Sequence, residues 1–87
     1  MSPVPIRLPD LGADRVTASL WFVQPGEAVV EGDRLLEVVI PGATCDVHAP
    51  AAGRLATRDV QPGDPLATGA ILGWLAGDPN DSPPDGG

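Results

Sequence analysis

Apolar residues along this chain fall in short runs, each halted by Pro, Gly or Asp, and where polar residues interrupt them the period is two. Residues 4–8 make a short strand candidate, stopped by Pro9-Asp10-Leu11-Gly12. Residues 16–23 are rich in β-forming side chains and end at Gln24-Pro25-Gly26. Along Arg34–Ile40 the alternation is clean. Leu36, Val38 and Ile40 project to one side, and Leu35, Glu37 and Val39 to the other. Pro41-Gly42 follows as a type II turn signal, because Pro presets φ and Gly accepts a positive one. Residues 44–48 return as a strand with Cys45 and Val47 on one face. Residues 54–60 and Ile71–Ala76 complete the set, with Leu66 in a short piece between them. No window sustains a 3.6-residue apolar period, so no helix is expected.

One stretch occurs twice. Val23-Gln24-Pro25-Gly26-Glu27-Ala28-Val29-Val30-Glu31-Gly32 returns as Val60-Gln61-Pro62-Gly63-Asp64-Pro65-Leu66-Ala67-Thr68-Gly69, at a constant offset of 37 that Leu35 keeps with Leu72. Two copies are too few for a solenoid, which needs about three. They fit a sandwich whose halves are related by a pseudo-twofold, each supplying the same strand–turn–strand. Gly32 and Gly69 would then serve tight turns where a Cβ is unwelcome. The expected fold is all-β: a flattened β-sandwich of two four-stranded halves, with the Pro41-Gly42 hairpin at one end and the termini toward the other.

Composition narrows the function. Eleven Gly and eleven Pro in 87 residues suit turns and short strands, in a single domain. The basic residues are five Arg and no Lys, and the net charge is −7. Nucleic acid and anionic membrane surfaces are therefore poor partners. Cys45 is alone and His48 is the sole histidine, which leaves no disulfide and no cysteine-based metal cluster. With neither a membrane-length apolar run nor a signal-like N-terminus, the expected location is cytoplasmic. The Met1 start is expected to be authentic. Residues 1–77 are read as the domain, and residues 78–87, which lack any anchoring apolar side chain, as a disordered tail or the start of a linker.

The repeated V-x-P-G-[ED]-x-[VL]-x-x-G, with Leu8-Pro9-Asp10-Leu11-Gly12 before it, resembles the biotinyl/lipoyl attachment domain family. Ala18-Ser19-Leu20-Trp21-Phe22-Val23, Gly32-Asp33-Arg34-Leu35-Leu36-Glu37-Val38 and Ala49-Pro50-Ala51-Ala52-Gly53 continue the likeness from Ile6 to about Ala76. The opening and the tryptophan resemble the lipoyl branch, found in acyltransferase components of 2-oxo-acid dehydrogenase complexes. In that family the hairpin tip reads Asp-Lys-Ala, and its lysine amine takes lipoate in amide linkage. By this resemblance Pro41 stands at the Asp position, Gly42 at the lipoyl-lysine position, and Ala43 matches. Since the chain has no lysine, neither lipoate nor biotin is expected as a cofactor. Arg cannot substitute, because its guanidinium stays protonated.

Other candidate chemistry is sparse. Cys45, three residues beyond the vacated position, is the one nucleophile near the tip and could carry an acyl group as a thioester; alternation instead gives it to the core. Asp46 and His48 share a strand face and are expected to be a solvated pair. Trp21 and Trp74 could form a ligand platform but are expected to pack. Asp59, Asp64, Glu27 and Glu31 lie beside turns and are expected to face water. The expected function is therefore not catalytic. It is that of an unmodified lipoyl-like domain, monomeric if isolated, docking on a dehydrogenase or acyltransferase component. The alternatives are an acyl carrier through Cys45 and a purely structural module like those of adaptor proteins.

Overall fold

Strands form where aliphatic and β-branched residues cluster, and turns where Pro-Gly and Asp-rich pieces interrupt them. The computed structural model describes residues 3–77, so the expected tail at 78–87 lies outside the described residues. In chain order the strands are β1 (Val4–Arg7), β2 (Val16–Trp21), β3 (Ala28–Val29), β4 (Arg34–Ile40), β5 (Ala43–His48), β6 (Gly53–Arg58), β7 (Pro65–Leu66) and β8 (Ile71–Ala76). Four of the expected strands end one or two residues away from their predicted limits. The two-residue β3 had no signal of its own, although the repeat matches it to β7.

Two four-stranded antiparallel sheets result. One, the hairpin sheet, has the order β5-β4-β2-β7; the other, the terminal sheet, has the order β1-β8-β6-β3. Each sheet takes two strands from each half of the chain. The first strand and the last are neighbours in the terminal sheet, where Val4 pairs with Leu75.

The repeat is visible in the hydrogen bonds. Gly26 N–H donates to the Leu55 carbonyl and Gly63 N–H to that of Ala18, both at 2.7 Å. Phe22 N–H donates to Leu35 and Asp59 N–H to Leu72, both at 2.8 Å. Gly26 and Gly63 share a φ of 95°, a conformation that only glycine adopts without strain. Two acidic side chains expected simply to face water do more: the Glu27 carboxylate accepts from Gln24 N–H (3.1 Å) and that of Asp64 from Gln61 N–H (2.8 Å). Each closes its own Pro-Gly turn.

Between the sheets lies a core of fully buried Ile6, Leu8, Leu35, Leu36, Val38, Leu55, Leu72 and Leu75. Leu35 corrects the alternation, which had placed it opposite Leu36. The register slips between Arg34 and Leu36, and this bulge turns two successive leucines inward. Glycines admit close approach elsewhere. A Cβ on Gly53 would run into the Ala76 carbonyl oxygen, and one on Gly73 into that of Thr57.

Candidate functional site

The β4–β5 hairpin closes with Ile40 paired to Ala43, so that Pro41 and Gly42 alone form the connection. Gly42 has φ 80°, and proline holds φ near −65°. Together these are the φ values of the type II turn expected from the pair. Pro41, Gly42, Ala43 and Thr44 are all exposed. No heavy atom would lie within 4 Å of a Cβ built on Gly42. A side chain at that position would thus stand clear of the fold, at the cost of a left-handed backbone. Beside the tip is a shallow groove of about 240 Å³, lined by Arg15, Thr17, Val39, Ile40 and Pro41. Val39, 41% exposed, is one of its open apolar walls.

The other candidates are dispersed. Cys45 pairs with Val38 in register, is half-buried, and packs against the core cluster. Asp46 is not left to solvent with His48. It faces Arg34 across the strand pair at 3.6 Å, while His48 is exposed. Trp21 is 9% exposed, and its Nε1–H donates to the Val60 carbonyl at 2.9 Å. Trp74 is half-buried on β8, in register with Pro5 on one side and Thr57 on the other. The two indoles therefore sit on strands of different sheets, and Trp21 serves as a packed, hydrogen-bonded side chain.

Sequence reasoning missed the arginines. Arg7 donates to the Gly69 carbonyl (3.1 Å) and Arg54 to that of Gly26 (2.8 Å). Arg34 pairs with Asp46 and lies 4.8 Å from the centre of the Phe22 ring. Among the described residues, Arg15 and Arg58 make no such contact, and each lines a groove. The Arg58 groove, about 430 Å³, is completed by Leu20, Trp21, Val60, Gln61 and Pro62. Nothing in the sequence distinguishes these two arginines from the other three, since pairing depends on the register of distant strands.

Residues 4–75, from the first residue of β1 to the penultimate residue of β8, match the biotin/lipoyl family model described as biotin-requiring enzyme. The chain belongs to the biotinyl/lipoyl domain family. This biotinyl/lipoyl domain is 38% identical over 69 residues to the lipoamide acyltransferase component of the branched-chain alpha-keto acid dehydrogenase complex of Pseudomonas aeruginosa. It is 36% identical over 70 residues to the dihydrolipoyllysine-residue succinyltransferase component of the 2-oxoglutarate dehydrogenase complex of Bartonella vinsonii. These matches cover 77% and 78% of the domain but only 16% and 17% of the relatives, so the chain corresponds to a small part of each. Among solved structures, the lipoyl domain of the 2-oxoglutarate dehydrogenase complex from Azotobacter vinelandii superposes with a TM-score of 0.69 at 26% identity. That match covers 86% of this chain and 98% of that one. The lipoyl branch and the sandwich expected from the repeat are thereby shown. Of membrane association it can be said that, among the described residues, no helix is long and apolar enough to cross a bilayer.

Proposed function

We propose that this biotinyl/lipoyl domain carries no lipoate and acts by contact, as a non-enzymatic interaction module of 2-oxo-acid dehydrogenase or acyltransferase-type machinery. The hairpin tip carries this reading. Where lipoyl domains present Asp-Lys-Ala, this one presents Pro41-Gly42-Ala43, and no lysine occurs anywhere in the chain to accept an amide-linked group. The tip is nevertheless built soundly, with a turn whose φ values suit both of its residues. The relatives' roles in dehydrogenase complexes support the choice of machinery. The exposed Val39 and Pro41, with half-buried Ile40 between them, offer a surface on which such a component can dock. Cys45 is a poorer carrier than a lysine arm, because its thiol is half-buried in a strand and has no reach.

Two measurements test the proposal. The intact mass of protein isolated from its native host is expected to be that of the bare polypeptide, and an added lipoyl group would defeat the reading. Purified dehydrogenase and acyltransferase components of the same organism, passed over the immobilised domain, are expected to yield one binder. That binding is expected to weaken about tenfold on Val39→Glu, which desolvates a charge at the contact. If no component binds, the module is not part of this machinery.

A further inference from the structure

The larger groove lies away from the hairpin, where the end of β2 meets the end of β6 and the loop that follows β6. The repeat offset relates Trp21 to Arg58, so the groove forms where the two halves meet at matching points, and there they differ. The repeat partner of Leu20 is Thr57. Leu20 is 51% exposed, so half of its surface contributes nothing to the core, and a threonine serves at the matching place. Its leucine has no evident folding purpose.

Arg58 points the same way. The chain has twelve acidic residues against five arginines, and Arg7, Arg34 and Arg54 all find acceptors. Arg58 finds none among the described residues, and Asp59 beside it in sequence makes no ion pair with it. Trp21 is already satisfied, since its Nε1–H is held by Val60 O, and it serves as a fixed apolar wall. What the groove leaves unmatched is one guanidinium, the exposed Gln61 amide, and the apolar surfaces of Leu20, Val60 and Pro62. A carboxylate, a peptide carbonyl and an aliphatic side chain complement those groups. Trp and Arg side by side are also the residues that most often anchor protein contacts. The groove is partly open to solvent, whereas small-molecule sites enclose about 70–90% of their ligand.

We propose that the Leu20–Trp21–Arg58 groove is a second docking site, which takes an extended peptide segment carrying an acidic side chain next to an aliphatic one. It is independent of the hairpin and of any function assigned there.

The test is a titration of the isotopically labelled chain with a capped octapeptide of alternating leucine and glutamate, followed by amide and indole NMR signals. Shifts are expected to cluster at Leu20, the Trp21 indole N–H, Arg58 and Gln61. Arg58→Gln and Leu20→Thr are each expected to weaken binding about tenfold, as loss of a charged hydrogen bond or a buried aliphatic contact implies. The glutamine counterpart of the peptide should bind as poorly as Arg58→Gln. Val30→Thr, which alters an exposed apolar residue that does not line the groove, should change nothing. The proposal is overturned if shifts gather at the hairpin instead, or if Arg58→Gln binds as the parent does. It is equally overturned if the same signals move with protein concentration alone, which would make the occupant a second copy.

Discussion

Gly42 holds a left-handed backbone in open space, so its only constraint is conformational. An L side chain other than Asn or Asp there costs about 1–2 kcal/mol. Gly42→Ala and Gly42→Lys are both expected to lower the urea-unfolding free energy by about 1 kcal/mol, and Gly42→Asn by less, since Asn tolerates this region. Equal losses for Ala and Asn would show that strain is not the cause. Gly73 is constrained by packing instead. A Cβ there would meet the Thr57 carbonyl and lie 3.4 Å from the Trp21 ring. Its repeat partner is Leu36, just as that of Trp21 is Arg58: the large ring on one side is accommodated by the missing side chain on the other. Gly73→Ala is accordingly expected to cost about 1–3 kcal/mol, with β6 and β8 forced apart. A melting temperature unchanged from the parent's would refute that packing argument.

At the scale of elements, the two repeated Pro-Gly turns, at residues 25–26 and 62–63, are each closed by a carboxylate from within the turn. Glu27→Ala and Asp64→Ala are each expected to destabilise by about 0.5–1.5 kcal/mol. Because the turns share no hydrogen-bond partner, the double variant should lose the sum, to within about 0.5 kcal/mol. A loss well short of the sum, in chemical denaturation, would mean that the turns are coupled. Trp21→Phe, which strands the Val60 carbonyl, is expected to cost about 1–3 kcal/mol. These elements also show what could be read from sequence. Arg34–Ile40 and Ile71–Ala76 match the expected limits to the residue, because each is an aliphatic-rich run bounded by turn residues. The bulge that buries Leu35 was invisible, since slipping by one residue leaves no mark in composition. The hairpin tip was legible because Pro41-Gly42 specifies its own turn. The groove at Arg58 was not, as it assembles from β2, β6 and a loop whose proximity only the fold creates.

Over the whole molecule, the interleaving of halves governs folding. β1 and β3 pair only with strands of the second half, and β7 only with β2. Peptides of residues 1–41 and 42–87 should therefore be unfolded separately and regain β-type circular dichroism when mixed. Each half keeps one internal pair, β2 with β4 or β6 with β8, so a cooperative unfolding transition in either alone, beyond such an isolated pair, would contradict this reading. Contacts so distant in sequence also make folding slow, on the order of milliseconds to seconds.

The pseudo-twofold has one more consequence. It places the β4–β5 turn on the hairpin sheet where the terminal sheet has the meeting of β1 and β8, with Val4 beside Leu75. The molecule thus has two interchangeable seams, one closed by a turn and one open. Opening the chain between Pro41 and Gly42 and bridging the old ends with a short flexible linker should give a circular permutant with the same sandwich. In that permutant the surface at the tip of β4 and β5 becomes a pair of free ends. A partner that reads the closed turn would lose it, and one that reads the groove at Arg58 would not.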